Sequence, residues 1–482
     1  MKLTWFWILI GFGKTVESLS AHQEILFNKT FVVCVPFLKT QKNSSRSNPF
    51  EKFKYMRANH NSIRLQGFEE LYQIRIPSVQ NTAIKNPSSH YRGLAIVSDS
   101  VVWIAGNRGQ VIRTTNGGIS WDTLYPQIEN TGILELKKDF RDIFAKNKDE
   151  AIIMSAGDSA VIFRTTNGGK NWKLVYSNNQ KGIFLDALEI DAHTGIGMVL
   201  GDPLSMQKPI PGNYFVGLYT IDYGNSWREL PNGDWNKPQD SLESFFAASG
   251  TSLVILKAKI DPNSPAGFKQ LTVGFAGGGL HPRFSLVNFK SNAHLDQNHT
   301  DSRNKLVNKL VRPPTIQGDK IKNTGIISSI ISSNLPFKGG IGWGCYGLAM
   351  GGEGRILAVG GNYLFPNLGD SSLGIANQNE DTIRWQTAQL YPNGYRSGIC
   401  LLHKIPSKTL RFAKPSFHRK RHSIRLAICT GTNGTDISFD GGRTWKFFSE
   451  KGYNACGFSK NLLWMVGNNG SWVKIPVQNL IQ

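Results

Sequence analysis

Cysteine is scarce in this sequence, and the few copies present do not form a metal-binding or disulfide pattern. The 482 residues include five cysteines, an odd number without metal-site spacing. Four of them lie in apolar, strand-like runs, so we expect buried free thiols. They are Cys345, Cys400, Cys429 and Cys456. No Gly-x-Gly-x-x-Gly follows a strand and opens a helix, and the histidines are scattered. We therefore expect no cofactor and no metal.

Long apolar runs are absent except at the N-terminus. Lys2 precedes the apolar stretch Leu3–Gly13, and the small residues Ser18, Ser20 and Ala21 follow it. This stretch is too short to span a bilayer, which favours an export signal over residues 1–21. The alternative is a buried N-terminal strand. With the signal, the protein is expected in the periplasm, on the cell surface or outside the cell.

Acidic residues are in the minority, with 34 Asp and Glu against 55 Lys and Arg and a net charge of +21. The segment Lys404–Arg425 holds eight basic residues and no acid. Such charge predicts non-specific attraction to anionic surfaces, although simple solvation of basic loops is the favoured explanation. No aromatic-interleaved or zinc-type motif indicates a specific nucleic-acid partner.

An eight-residue phrase occurs four times. Its copies are Thr114–Trp121 (TTNGGISW), Thr165–Trp172 (TTNGGKNW), Thr220–Trp227 (TIDYGNSW) and Ser438–Trp445 (SFDGGRTW). In each copy a short acceptor side chain caps a turn, a glycine supplies the unusual backbone angle, and a tryptophan covers the turn. The first three tryptophans are 51 and 55 residues apart. A period near fifty in a β-rich sequence predicts propeller blades.

Two further recurrences each count seven blades. Aromatic residues open the first strands: Tyr91, Phe140, Phe184, Phe245, Tyr346, Tyr395 and Tyr453. Glycines follow the second strands: Gly106, Gly157, Gly201, Gly277, Gly360, Gly431 and Gly467. We predict a seven-bladed β-propeller over residues 67–482, with insertions near 251–270, 290–338 and 403–422. Residues 22–66 are predicted to be a poorly ordered basic leader. The last blade supplies three strands, and Leu71–Pro77 is a candidate for its fourth.

The repeated phrase resembles the Asp-box, or bacterial neuraminidase repeat, of sialidases, sortilin-type receptors and the photosystem II assembly-factor family. Residues 90–121, 139–172 and 182–203 are similar to the assembly-factor-like exported propellers of Bacteroidetes, which often carry an oxidoreductase label. The resemblance covers roughly Tyr91 to Ile475. It implies the propeller fold, an arginine-rich face that holds a partner, and a role in the assembly or stability of another protein.

In the usual blade order the Asp-boxes lie on one face, and the aromatic openings and glycine turns lie on the other. The Asp-box side chains are therefore expected to be structural: Asn116, Trp121, Asn167, Trp172, Asp222, Trp227, Asp440 and Trp445. The opposite face gives the candidate ligand-binding residues: Arg92, Arg141, Asp142, Asp186, Glu243, Arg396, Asn107, Asp158, Asp202 and Asn468. Three arginines around one channel would form a receptor for carboxylate or phosphate. Alternatively, each arginine pairs with an acid and ties blades together.

These patterns favour a monomeric, non-enzymatic binding module for an acidic peptide, a protein partner or a glycan. The alternative is a sialidase-like glycosidase, suggested by Arg75-Ile76-Pro77. That chemistry also needs a tyrosine nucleophile beside a glutamate. No such pair is placed in the late blades, and Arg75 precedes the first channel strand at Tyr91. No catalytic residue is predicted.

Overall fold

The chain folds as a seven-bladed β-propeller. The computed structural model describes residues 89–126, 138–157, 159–203, 213–264, 266–291, 326–369, 372–378, 383–402 and 425–481. In these ranges 28 strands form seven antiparallel sheets. Among the described residues, no helix is long and apolar enough to cross a membrane. The predicted fold class and blade count are confirmed.

Each blade is one sheet. Blade one has β1 (Tyr91–Ile96), β2 (Val102–Gly106), β3 (Val111–Thr114) and β4 (Asp122–Leu124). Blade two has β5 (Asp139–Ala145), β6 (Ala151–Ala156), β7 (Ala160–Thr165) and β8 (Lys173–Asn178). Blade three has β9 (Leu185–Ile190), β10 (Gly197–Pro203), β11 (Phe215–Thr220) and β12 (Arg228–Glu229). Blade four has β13 (Leu253–Ile260), β14 (Phe268–Ala276), β16 (Arg283–Ser291) and β17 (Ile326–Asn334).

The later blades vary in strand number. Blade five has β18 (Gly340–Met350), β19 (Arg355–Asn362), β20 (Leu373–Gln378) and β21 (Ile383–Thr387), and the short β15 (Gly278–Gly279) pairs with β18. Blade six has β22 (Gly398–Leu401), β23 (Ala427–Gly431), β24 (Gly434–Ser438) and β25 (Lys446–Ser449). Blade seven has β26 (Ala455–Phe458), β27 (Leu462–Val466) and β28 (Trp472–Pro476). Short helical segments span Asp234–Asn236, Gly352–Gly354 and, as α1, Val477–Leu480.

Second strands are apolar on both faces because a neighbouring blade covers each face. All five residues of β2 and all six of β6 are buried. Continuous apolar runs of this length are typical of strands covered on both sides. The fourth strands lie at the perimeter, and both residues of β12 are exposed.

The ring closes between blades seven and one. The inner strands β1, β5, β9, β13, β18, β22 and β26 each contact the next, and β26 contacts β1. Tyr91 N donates to Gly467 O at 3.1 Å, and Asn454 Nδ2 donates to Tyr91 O at 2.8 Å. Asp99 accepts from Ser459 Oγ at 2.5 Å. Closure of the ring provides hydrogen-bond partners for backbone groups that would otherwise be exposed to other chains.

The four repeated turns share one hydrogen-bond pattern. The hydroxyl of the first residue accepts from the backbone N of the fifth, as in Thr114 with Gly118 at 2.8 Å. The third residue accepts from the backbone N of the seventh, as in Asp222 with Ser226 at 3.0 Å. The same bonds hold the turns at Thr165 and Ser438. Both acceptors serve the turn itself, so the predicted structural role is the one these residues have.

Each repeated turn packs against the blade before it. Trp172 of blade two lies 6.3 Å from the Trp103 ring of blade one, between ring centroids. Trp121 of blade one lies 5.2 Å from Trp472 of blade seven. Trp227 joins the core shared with blade two, and Trp445 the core shared with blade five. The tryptophans therefore fill the clefts between blades, where large aromatic surfaces contribute most to stability.

Two expected insertions differ from the prediction. Residues 253–260 and 268–276 are β13 and β14, which belong to blade four itself. The long stretch between Phe245 and Gly277 therefore consists of two long strands and of the residues that precede β13. Of the segment near 290–338, residues 326–334 form β17. Residues 403–422, the predicted signal and leader, and Leu71–Pro77 lie outside the described residues.

The four cysteines in the described part are buried free thiols, as predicted. They are Cys345, Cys400, Cys429 and Cys456. Each lies in or beside an inter-blade core, where a small apolar side chain fits. Cys34 lies outside the described residues.

Trp472→Ala should destabilise the protein more than any surface substitution, because Trp472 fills the cleft at the ring seam. Its side chain is 3% exposed, and its indole N has no hydrogen-bond partner in the described chain. The loss is therefore one of packing, about 3–5 kcal/mol of unfolding free energy for a large buried aromatic. Urea titration measures it. Phe447→Ala is the control because Phe447 is 49% exposed, and an equal effect of both substitutions would contradict this assignment.

Candidate ligand-binding face

The strand registers define two faces of the ring. Tyr91 pairs with Gly106, so the start of the first strand and the turn after the second share a face. Thr114 pairs with Val102, which puts the repeated turn at the opposite end. We call the first face, around the axis of the ring, the channel mouth. The predicted separation of candidate ligand residues from repeated turns is therefore observed.

Arg92 and Arg141 meet at the channel mouth. Burial and the neighbouring charge of Arg141 lower the pKa of Arg92, while Asp139 and Tyr395 oppose that shift. An arginine nevertheless stays charged in proteins. Arg92 is half-buried, and no hydrogen bond or ion pair joins its guanidinium to any other residue that the structure describes. Arg141 is partnered: its Nε donates to Asp139 Oδ2 at 2.8 Å and its Nη1 to Ala247 O at 3.2 Å.

Arg396 does not join this pair, contrary to the expected convergence of three guanidinium groups. Its side chain is fully buried and forms an ion pair with Asp436 of the same blade. Its nitrogens also donate to Asn433 Oδ1 at 2.7 Å and to Asn393 O at 2.9 Å. Every direction of the guanidinium is used within blade six. The alternative role, a structural clamp, fits Arg396, although the clamp lies within one blade rather than between two.

Two of the predicted acids are structural rather than exposed to a ligand. Asp142 is 6% exposed and accepts from Leu188 N at 2.7 Å, which joins blade two to blade three. Glu243 forms a buried ion pair with Arg283 at 2.6 Å and accepts from Gln239 N at 2.6 Å. Both carboxylates face inward because backbone N–H groups or a guanidinium compensate their burial. Sequence analysis placed them near the correct face but not their partners.

Asp186 and Asp202 form a buried acidic pair. Asp186 is inaccessible to solvent, and neither carboxyl oxygen has a hydrogen-bond partner in the described chain. Burial and the neighbouring charge of Asp202 raise the pKa of Asp186 well above its usual value, although Arg141 and two nearby amide groups oppose the shift. Burial also raises the pKa of Asp202 to about 7. Two adjacent buried carboxyls repel each other when both are ionised, so this environment favours a form of the pair that keeps a proton.

The predicted turn residues brace the channel mouth. Asn107 Oδ1 accepts from His90 N at 2.8 Å, and Asn468 Oδ1 accepts from Asn454 Nδ2 at 2.9 Å. Asp202 Oδ1 accepts from Phe245 N at 2.8 Å. These contacts fix loops on the face rather than leaving free polar groups for a ligand. Asp158 lies outside the described residues.

A short segment of blade four fills the axis below the mouth. This axial segment, residues 246–251, precedes β13, so Phe245 does not open the first strand as expected. Ala247 O accepts from Arg141 of blade two, and Ser249 Oγ donates to Ser397 O of blade six at 2.7 Å. Ala248 packs on Tyr346 and Tyr395. Contacts with opposite sides of the ring require the segment to cross the channel, and its small residues allow the crossing.

Aromatic rings lead from Arg92 to the surface. Tyr395 is close enough to Arg92 to raise its pKa. The centroids of the Tyr395 and Tyr346 rings are 4.7 Å apart. Tyr346 stacks on Phe246 at 3.9 Å and meets the half-exposed Tyr363 at 6.4 Å. The sequence marked Tyr346 and Tyr395 as strand openings but gave no signal that they line a continuous path.

An exposed apolar patch that includes Tyr363 lies on the same face. Its members, which we call the apolar rim, are Leu280, Ile341, Tyr363, Leu364, Phe365 and Leu368, and they are 44–72% exposed. Asn362 Nδ2 donates to Ile341 O at 3.1 Å, which holds the two halves of the rim together. A second bond, from Tyr395 N to Pro366 O at 2.8 Å, attaches the rim to the mouth. Contiguous exposed apolar side chains mark interaction surfaces.

The described residues contain no group of three or more His, Cys, Asp or Glu side chains that could hold a metal. Among the described residues, the face thus consists of one partly buried cation without an ion-pair partner, a second cation balanced by Asp139, a buried acid pair and an apolar rim. This arrangement can bind one anionic group through Arg92 and bury apolar side chains beside it.

The fold and this face define a seven-bladed β-propeller with an asymmetric, cationic and apolar channel mouth. No family model matches the sequence, and no curated protein matches it. Among solved structures, the chain is similar to YCF48 bound to D1 peptide, at 10% identity and a TM-score of 0.44 over 83% of this chain and 96% of that one.

Two further structures are similar at the same level. YCF48 from Cyanidioschyzon merolae is 14% identical, with a TM-score of 0.42 over 83% of this chain and 99% of that one. The GH74 xyloglucanase from Xanthomonas campestris is 11% identical, with a TM-score of 0.45 over 83% of this chain and 54% of that one. Likeness this loose carries no information on ligand or reaction.

Asp186→Asn should flatten part of the pH dependence of stability. A folded-state pKa above the unfolded value near 4 makes the acid cost stability as pH rises, because the folded protein holds a proton that the unfolded chain releases. The amide cannot ionise and escapes this cost. Relative to the original protein, the variant should gain on the order of 1 kcal/mol of unfolding free energy between pH 5 and pH 8. The unfolding free energy is measured by urea denaturation at each pH. The same pH dependence of this free energy in both proteins would contradict the buried, protonated acid pair.

Proposed function

We propose that this protein is a binding module that receives an acidic, apolar peptide segment of a partner protein at the channel mouth. The observation that carries the proposal is that Arg92, whose guanidinium has no partner in the described chain, shares one face with the apolar rim and is linked to it through Tyr395 and Tyr346. A partly buried cation beside a second cation is unfavourable unless a ligand supplies an anion. The partner's carboxylate would take that position.

The charges at the mouth favour one carboxylate rather than a polyanion. Asp139 balances Arg141, and burial raises the pKa of Asp186, which disfavours a second full negative charge on the Asp186–Asp202 pair. Arg92 is the guanidinium at the mouth that has no ion-pair partner in the described chain, so it offers one cation to a ligand. The axial segment crosses the channel, which suits a chain terminus or an acidic side chain at the mouth rather than a polymer threaded along the axis.

The rim favours a peptide over a glycan. Its aliphatic members, such as Ile341 and Leu364, provide no hydrogen bond to sugar hydroxyls, whereas they can bury leucine-like or aromatic side chains. An anchor of this kind, combined with a single charged contact, is the usual energetic core of a protein interface.

The glycosidase alternative finds little support at this face. Arg396, one of the arginines predicted to bind a carboxylate, is enclosed by Asp436 and Asn433. Arg75 lies outside the described residues. The repeated-turn acids Asp222 and Asp440 are committed to their own turns on the other face.

We infer an exported location and a role in assembling or stabilising the partner. The apolar stretch after Lys2 supports export, and the family resemblance of the repeats supports the role. Neither inference requires a photosynthetic host.

Arg92→Ala should abolish most acidic-peptide binding. Random peptides displayed on phage are selected on the immobilised protein, and a selected peptide is synthesised with a fluorescein label for anisotropy. Loss of a charge-assisted hydrogen bond should weaken binding about tenfold or more. Arg228→Ala is the matched control because Arg228 is an exposed arginine on the outer strand β12. Selected peptides without enriched acids, or equal affinity for both variants, would refute the site.

Ile341→Ala should weaken binding of the same peptide, because the complex then buries less apolar surface. Ile341 is 72% exposed, so the free protein should keep its stability. Removing a side chain that the complex buries should cost about fivefold or more in affinity. Ile119→Ala provides a close control, since Ile119 is 84% exposed on a repeated turn of the opposite face. A similar loss in both variants would show that the rim is not the docking surface.

A further inference from the structure

A polar cavity lies between blades five and six, apart from the channel mouth. Its volume is about 470 Å³, and three arginines line it: Arg355, Arg384 and Arg443. The side-chain amides Asn377, Gln386 and Gln389 also line it, and none of the described residues that line it is acidic. A cavity of this size is within the range of small-molecule sites.

Strand register builds one wall of the cavity. Arg355 pairs with Asn377, and Asn377 pairs with Arg384, so these three side chains form a row across β19, β20 and β21. Gln386 lies two residues further along β21 and therefore projects from the same face of the sheet. The wall thus presents guanidinium and amide donors side by side.

The repeated turn of blade six builds the other wall. Arg355 Nη1 donates to Gly441 O at 3.2 Å, and Gln389 N donates to Arg443 O at 2.8 Å, which fixes the turn against blade five. Arg443 occupies the sixth position of the repeated phrase. The equivalent residues are Ile119, Lys170 and Asn225, so the turn itself does not require an arginine there.

Two of the three arginines that line the cavity, Arg384 and Arg443, have no ion-pair partner in the described chain. Their guanidinium groups are exposed and have no hydrogen bond with any other part of the described chain. Asp440, the nearest acid of the turn, accepts from Thr444 N at 2.9 Å and from Thr444 Oγ1 at 2.6 Å, which commits its oxygens to the turn. Like charges confined in a cleft favour an anion that bridges them.

We propose that this cavity binds a small molecule through a tetrahedral oxyanion, a phosphate or sulfate ester. Guanidinium forks match such oxyanions with paired hydrogen bonds, and several forks together favour more than one negative charge. The amides offer further donors and acceptors to the group that carries the oxyanion. The site goes beyond the proposed peptide binding, because Arg92 and the apolar rim contribute nothing to it.

Calorimetric titration of the whole protein with glycerol 2-phosphate at low salt tests the proposal. Saturable one-to-one binding is expected, and the double variant Arg384→Ala/Arg443→Ala should weaken it about tenfold or more. Arg228→Ala/Lys269→Ala removes the same charge from exposed positions on blades three and four and should leave binding unchanged. Arg92→Ala should also bind normally, which separates this site from the channel mouth.

Titration with methyl sulfate distinguishes the two sources of oxyanion. A phosphate monoester loses charge below a pKa of about 6, so its binding should weaken from pH 8 to pH 5.5, whereas a sulfate ester keeps its charge. Tighter binding of the phosphate ester at pH 8 supports a phosphorylated ligand, and tighter binding of methyl sulfate supports a sulfated one. The proposal fails if neither ester saturates the protein at about 20 mM. Equal weakening in both double variants also overturns it, since general surface charge would then explain binding.

Discussion

The contact between each blade and the next is the constraint on which the rest of this structure depends. A four-stranded sheet of this length cannot stand alone, because its second and third strands are apolar on both faces. The repeated turn solves this problem locally: it fixes its own backbone and places a tryptophan into the preceding cleft. Closure between Trp121 and Trp472 then brings distant parts of the chain together around one axis.

Ring closure also decides which charges are available to a ligand. A blade that packs on both sides leaves few places for an unpaired ion. Most of the charged groups near the axis therefore form ion pairs or hydrogen bonds within the protein. Arg396, Glu243 and Asp142 each compensate a neighbour within the core. Arg92 is different because Asp139, the acid that acts on it, forms its ion pair with Arg141 instead. The proposed binding face therefore consists of groups that blade packing leaves without a partner in the described chain.

Most of the features that depart from the regular blade repeat lie in blade five and its neighbours. The axial segment, the apolar rim and the cavity lined by Arg384 all lie in or beside blades four to six. The repeated phrase is missing from two adjacent blades there, four and five, and otherwise only from blade seven. Regular repeats build the ring, and departures from the repeat supply the surfaces on which partners can be recognised.

Local sequence determined the repeated turns, the blade count and the separation of the two faces, because each depends on short-range hydrogen bonding and on strand alternation within about fifty residues. It also placed Arg92 and Arg141 near one axis. Only the tertiary structure decided that Arg396 is enclosed by Asp436, that residues 246–251 cross the channel, and that Arg384 and Arg443 share a cavity. These features depend on which side chains meet across blades, and spacing along the chain carries no information about such long-range pairing.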